Sequence, residues 1–272
     1  MRCKRESPIV DFARSVRDED PGIGARKIWL MAGSVFGDGM IGRDAFYKLL
    51  EREGMRLRRP RPRHTTNSNH RYHKYSNLIK GYIPSGPNRL WVSDITYIQL
   101  AGGDCCYLHL VTDAYSHKVI GWSLSPTLES KYTLDALRQA IEQASGCDLD
   151  GLIHHSDRGV QYCCNAYVDE LSSHKIRISM TEDYKPTDNG IAERLNGILK
   201  TEKLYRRPLY PTMKVAREEI GKFIAFYNDR RPHMSIGNQT PAAAHKQSGE
   251  QKRMWKAYQP QITTDSVPLS TF

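Results

Sequence analysis

The sequence predicts an α/β domain, a mixed sheet flanked by helices, behind a small helical region. Three observations predict it. Three β-branched and apolar runs follow one another between residues 90 and 124; helix-spaced and strand-like segments then alternate as far as residue 228; and the first 53 residues show helical spacing only. Successive strands pair as a meander, and strands separated by a helix join in parallel, so this order implies one mixed sheet covered by helices.

Along the chain, residues 6–17 place Ile9, Phe12 or Ala13, and Val16 at helical spacing. Ala25–Met31 and Arg43–Glu53 are two further helices, the second with Ala45, Phe46, Leu49 and Leu50 on one side, and Gly33, Gly37 and Gly39 punctuate the gap between them. Three short helices ahead of an arginine cluster suit a helix-turn-helix-like DNA reader; a plain helical cap on the next domain would give the same pattern. From Glu51 to Lys80 nine Lys or Arg stand against two Glu, a net +7, including Arg58, Arg59, Arg61 and Arg63 interleaved with Pro60 and Pro62. The prolines forbid a helix, and a basic, extended strap of this kind can neutralise phosphates one by one; a solvated linker is the bland reading.

The strand candidates are Leu90–Gln99, Cys105–Thr112 and Lys118–Leu124, joined by the turn residues Ala101-Gly102-Gly103-Asp104 and Tyr115-Ser116-His117. A helix follows over Lys131–Ala144, with Leu134, Leu137, Ile141 and Ala144 on one face. Then come a strand over Leu152–Ser156, a helix over Asn165–His174, a strand over Ile176–Met180, and helices over Asn189–Leu204 and Met213–Asn228. Beyond Lys246 the tail is polar and turn-rich, the composition of a partly disordered segment.

The chain carries 40 Lys and Arg against 30 Asp and Glu, a formal net charge of +10, so an anionic polymer is a natural partner. No run approaches the apolar length of a membrane span, and Met1-Arg2-Cys3-Lys4-Arg5-Glu6 lacks a signal-peptide core, so a cytoplasmic, nucleoid-associated protein is expected. The adjacent pairs Cys105-Cys106 and Cys163-Cys164 read as small packed hydrophobes in a reducing compartment. His70 and His73 offer paired imidazoles, but no Cys-x-x-Cys follows at finger spacing, which argues against structural zinc.

Three carboxylates carry the chemistry. Asp94 lies inside the apolar run Leu90-Trp91-Val92-Ser93-Asp94-Ile95-Thr96-Tyr97-Ile98, where a charge is costly unless a cation meets it. Asp157 ends the run Leu152-Ile153-His154-His155-Ser156 before the turn residues Arg158-Gly159, and Glu193 falls one turn into the helix that Asp188 and Asn189 can cap. Converging carboxylates are hard-cation ligands that suit Mg²⁺ or Mn²⁺, and two such ions about 4 Å apart clamp an in-line phosphoryl transfer. By strand parity His155, not His154, shares the face of Asp157 and could position a water or phosphate; a histidine satisfied inside the core is the alternative.

These segments resemble insertion-sequence transposases of the second-reading-frame type, in the DDE and retroviral integrase superfamily. The resemblance rests on Trp91-Val92-Ser93-Asp94-Ile95-Thr96-Tyr97, His155-Ser156-Asp157-Arg158-Gly159-Val160-Gln161-Tyr162, Asp188-Asn189-Gly190-Ile191-Ala192-Glu193 and Tyr227-Asn228-Asp229-Arg230-Arg231-Pro232-His233, with a weaker match at Pro21–Ile28. It implies a ribonuclease-H-like sheet in which the first and fourth strands are neighbours, setting Asp94 beside Asp157 with Glu193 entering from a helix. It also implies a DNA-binding enzyme of transposition, DNA integration and recombination, with Asp94, Asp157 and Glu193 as catalytic residues and ligands of two Mg²⁺ ions, Mn²⁺ substituting. Expected partners are the element's terminal inverted repeats, target DNA, further copies of the chain in a homo-oligomer on DNA, and an upstream-frame protein or fusion.

The organisation that follows is a helical DNA-binding region over 1–57, a basic linker over 58–86, an integrase-type catalytic domain over 87–245 and a polar tail over 246–272. Lys200 falls on the face of Glu193 nearly two helical turns on, where the resemblance implies contact with the element's end; Lys203, on another face, reads as a solvated control. Asn189, one turn before Glu193, is a further candidate DNA contact, and Gly190 weakens the first turn of that helix. His233 is either a DNA contact or part of a docking turn. The rival readings are a non-catalytic DNA-binding relative or inhibitor of an active transposase, which an intact carboxylate triad disfavours, and a nuclease acting on RNA in hybrids.

Overall fold

Strand β1 (Leu90–Gln99) lies at the centre of a five-stranded sheet, with β2 (Cys105–Asp113) and β3 (Val119–Ser125) to one side and β4 (Ile153–Ser156) and β5 (Arg177–Met180) to the other. The computed structural model of the chain describes residues 6–57, 71–182, 190–252 and 254. β1 and β2 pair antiparallel in the register Asp94↔Leu110 and Gln99↔Cys105, closed by the loop in which Leu100 donates to the Asp104 carbonyl at 2.8 Å. β4 joins β1 in parallel, Val92 beside His155, and β5 extends the parallel half. A parallel pair needs a crossover, which α4 (Ser130–Gln143) supplies. The first and fourth strands are neighbours, and the sheet is the ribonuclease-H-like arrangement.

Alternation along the strands sends two apolar sets to opposite faces. Trp91, Val111 and Ile120 meet Ala136, Leu137 and Ala140 of α4, Tyr162 of α5 (Val160–Cys163) and Tyr167 of α6 (Asn165–Ser173). Contact with α4 is close enough that a Cβ on Gly121 of β3 would stand 2.0 Å from the Ala136 carbonyl oxygen, so only glycine fits. On the other face Ile98, Leu108 and Leu124 meet Leu195 of α7 (Gly190–Ile198) and Ile220 and Phe223 of α8 (Met213–Asp229), while Leu90, Val92 and Ile153 meet Ala192 of α7. Residues 76–79, within the expected linker, lie against β5: Leu78 N–H donates to Ser179 Oγ at 2.9 Å, and Leu78 and Ile79 pack on the same cluster as Ala192.

The N-terminal helices α1 (Glu6–Glu19), α2 (Ala25–Phe36) and α3 (Arg43–Arg52) close over Ile9, Val10, Ala13, Val16, Ile28, Phe46, Leu49 and Leu50, and Phe226 of α8 completes that core. Three details differ from the sequence reading. α2 continues past Met31 and through Gly33 to Phe36, ending where Gly37 takes a positive φ and donates to the Gly33 carbonyl. Ala45 is exposed, because the buried stripe of α3 is centred on Phe46, Leu49 and Leu50. The single helix expected to Leu204 is instead α7 to Ile198, a π turn over Leu199–Lys203 and a 3₁₀ turn over Leu204–Arg206. The wider turn sets consecutive charged residues, Glu202 and Lys203, both inward. Lys203, expected on the surface, is 1 % exposed and pairs with Glu219 at 3.1 Å. The chain also forms a short helix α9 (Pro241–Ala244), capped by Thr240.

Candidate active site

The β1–β4 register fixes the first two carboxylates. Leu90 stands beside Ile153 and Val92 beside His155, an offset of 63 that two further places carry to Asp94 and Asp157. The two side chains therefore leave neighbouring strands on the face that α7 covers. Both are half-buried. Asp94 Oδ1 accepts from the Ile95 N–H at 2.8 Å, and Oδ2 accepts from Asn196 Nδ2 of α7 at 2.5 Å. Asp157 Oδ1 accepts from the Gly159 N–H at 2.9 Å, which folds the turn leading into α5.

Burial, and next the charge of Asp157, push the Asp94 carboxyl up to about 7; the Ile95 N–H, the Asn196 amide and the Lys200 ammonium pull the other way. Two carboxylates so close in a partly desolvated place repel each other, and a hard divalent cation offsets that repulsion. The two carboxylates are donors of the kind such an ion takes. Tyr162 of α5 is fully buried within range of both charges, and its hydroxyl has no hydrogen-bond partner among the described residues.

Glu193 lies in the first turn of α7, exposed, with its carboxyl held above the usual range by partial burial. It is three residues before Asn196, hence on the α7 face that reaches Asp94. Among the described residues no three His, Cys, Asp or Glu side chains form a group that could hold a metal ion. Lys200, in the π turn, is half-buried and close enough for its charge to act on Asp94.

His155 is fully buried and its Nδ1 lies 2.8 Å from Ser179 Oγ. His154, on the other face, shares Nε2 with Ser93 Oγ and the Tyr167 hydroxyl, and burial lowers it to about 3. Asn189 and Arg58, Arg59, Arg61 and Arg63 lie outside the described residues. Asn196 is the residue that sequence reasoning missed. Its signal was its spacing, one turn after Glu193 on the face of Lys200, but an asparagine in a helix carries no charge to mark it.

The family described as integrase core domain matches residues 84–186, and a second family of the same description matches residues 174–241. A putative transposase for insertion sequence element IS986/IS6110 from Mycobacterium tuberculosis is 32 % identical over 87 % of this chain and 86 % of its own length. The transposase for insertion sequence element IS629 from Shigella sonnei is 27 % identical over 90 % of this chain and 81 % of its own. Among solved structures, the HTLV-2 integrase catalytic core domain in complex with magnesium covers 60 % of this chain and 99 % of that one, with 22 % identity and a TM-score of 0.46. Identity at this level across nearly the whole of both chains, with the integrase core over the part that holds Asp94 and Asp157, establishes that the chain belongs to the insertion-sequence transposases of the integrase superfamily.

Proposed function

We propose that the protein cuts DNA at the ends of a mobile element and joins the resulting 3′-hydroxyl to a new phosphodiester, in a reaction that requires Mg²⁺, with Mn²⁺ as substitute. The observation that carries this reading is the placement of Asp94 beside Asp157 on one face of the sheet under α7. Asp94 and Asp157 would hold the metal, and Glu193 is the third carboxylate of the proposal. When bound, a pair of divalent ions supplies activation of the attacking oxygen and stabilisation of the leaving one. The Asn196 amide orients Asp94 from the helix. Lys200 adds a positive charge beside the site, suited to a phosphate of the element's end, and the strap containing Arg58, Arg59, Arg61 and Arg63 supplies sequence-independent phosphate contacts. We extend the proposal to assembly of several copies on DNA, with or without an upstream-frame partner.

Labelled DNA carrying the element's own ends, incubated with and without Mg²⁺, tests this directly. Nicked and joined products that depend on the metal and vanish in Asp94→Asn and Asp157→Asn are the expected result. Metal-independent products, or normal joining by either variant, would overturn the assignment.

A further inference from the structure

The Arg231-Pro232-His233 motif takes no part in the site above, and the structure buries it. Arg231 is 2 % exposed; its Nε and Nη2 donate to Glu202 Oε2 and Oε1, each at 2.7 Å, and its Nη1 lies 2.6 Å from His233 Nε2. Glu202 belongs to the π turn that follows α7. From the other side Lys27 of α2 donates to Glu202 Oε1 at 3.0 Å, and fully buried Asp20, whose Oδ1 accepts from the Gly22 N–H at 3.2 Å, lies 4.0 Å from Arg231. Burial, and next the charge of Glu202, push the Asp20 carboxyl up to about 8, so Lys27 and Arg231 face chiefly the charge of Glu202.

The backbones meet as closely as the charges. Gly22 passes over Glu202 so tightly that a Cβ there would stand 2.1 Å from Glu202 Cα and 2.7 Å from the carbonyl oxygens of Thr201 and Glu202. Around it Lys203 reaches the Glu19 carbonyl at 3.5 Å, Arg207 donates to the Asp18 carbonyl, and Arg230 pairs with Glu19. One glutamate thus joins the N-terminal helices, the turn after α7 and the segment after α8. Breaking a buried ion pair from one side leaves an uncompensated charge, so the partners hold one another in a single register.

That register matters because Lys200 is two residues, and Asn196 six residues, before Glu202. We propose that Arg231 and Glu202 are positioning residues: their pair fixes the π turn, which sets Lys200 and Asn196 against Asp94 and seats the N-terminal helices on the same turn. The motif's histidine is then part of a docking turn, not a DNA contact. The effect on DNA joining rests on the transposase reading; the joint itself does not.

Hydrogen–deuterium exchange on the full chain tests it, with Arg231→Met, Gly22→Ala and Asp20→Asn. Arg231→Met and Gly22→Ala are expected to speed exchange about tenfold or more over residues 18–30 and 199–206 while β1 and β2 amides stay protected. Asp20→Asn, which keeps a neutral hydrogen-bonding group, stays like the parent. Gly22→Ala removes no charge and alters no catalytic-domain residue, so it carries the test if Arg231→Met does not fold. Unchanged exchange over both windows in a folded variant would overturn the joint. Accelerated exchange with undiminished joining of element ends would overturn the positioning role. An inactive parent protein with the exchange pattern as expected would count against the transposase reading alone.

Discussion

Asn196 of α7 donates to Asp94 of β1 at 2.5 Å, a side-chain bond that ties the helix to the centre of the sheet. A hydrogen bond to a charged group contributes about 1.5–3 kcal/mol, so Asn196→Ala should lower joining of element ends by roughly ten- to a hundredfold. Binding to random duplex should stay within about twofold, because the amide faces Asp94 and not solvent. Parallel joining and filter-binding assays separate the two; equal losses in both would remove Asn196 from the site.

The carboxylates make a second prediction with opposite signs for activity and stability. Asp94→Asn, Asp157→Asn and Glu193→Gln should each abolish cleavage and joining, since each removes a charge proposed to hold the metal and keeps the side-chain volume. In EDTA at neutral pH, Asp94→Asn should nevertheless melt at a higher temperature than the parent, because the ionised Asp94 is disfavoured by burial and by Asp157. Glu193→Gln, on an exposed group, should leave the melting temperature unchanged. Calorimetry of the metal-free proteins checks both.

Much of this was legible in the sequence, for local reasons. Asp94 and Asp157 stand in runs whose strand character is plain, and their shared parity follows once the first and fourth strands are neighbours. The order of elements is equally local, since each strand and helix carries its own period. Glu202 and Arg231 are different: 29 residues separate them and each, on its own segment, looks like a surface charge. Only tertiary packing pulls them inward, and the π turn that results has no sequence period of its own. Lys203 was misread for the same reason.

Lys200 and Lys203 should therefore differ in kind. Lys200→Ala is expected to cut reaction at element ends with little change in melting temperature, because its ammonium acts on the site and is half-buried. Lys203→Ala removes a buried cation from Glu219, which keeps Arg207 and Lys222 as partners. That cost is on the order of 2 kcal/mol, a fall of roughly 5 °C for a chain of this size. A melting scan beside a joining assay distinguishes them, and a stable Lys203→Ala variant would contradict the buried pair.

The strap makes a prediction in salt. If Arg58, Arg59, Arg61 and Arg63 each neutralise a phosphate, replacing all four with alanine should reduce the slope of log affinity against log salt by about 3.6 on unrelated duplexes. An unchanged slope would make the strap a linker.

The buried Asp20 carboxyl beside Glu202 gives the joint a pH dependence. Burial, then the neighbouring Glu202, push Asp20 up to about 8; Glu202 is held low against burial by Arg231 and Lys27. Arg17 and Lys203 are the other charges that act on Asp20. A carboxyl whose folded pKa is raised binds its proton more tightly in the native state, so its contribution to stability is complete below about pH 4 and is lost as pH rises through about 8. Asp20→Asn keeps the neutral form at every pH. The variant should therefore match the parent near pH 4 and outlast it by a margin that grows up to about pH 8 and persists at pH 9, where the parent must ionise Asp20 beside Glu202 or open the joint. Melting curves of the two proteins across that range decide it: a parent that stays as stable as Asp20→Asn at pH 9 would show that Asp20 is already ionised in the cluster, leaving Lys27 and Arg231 to balance two full negative charges.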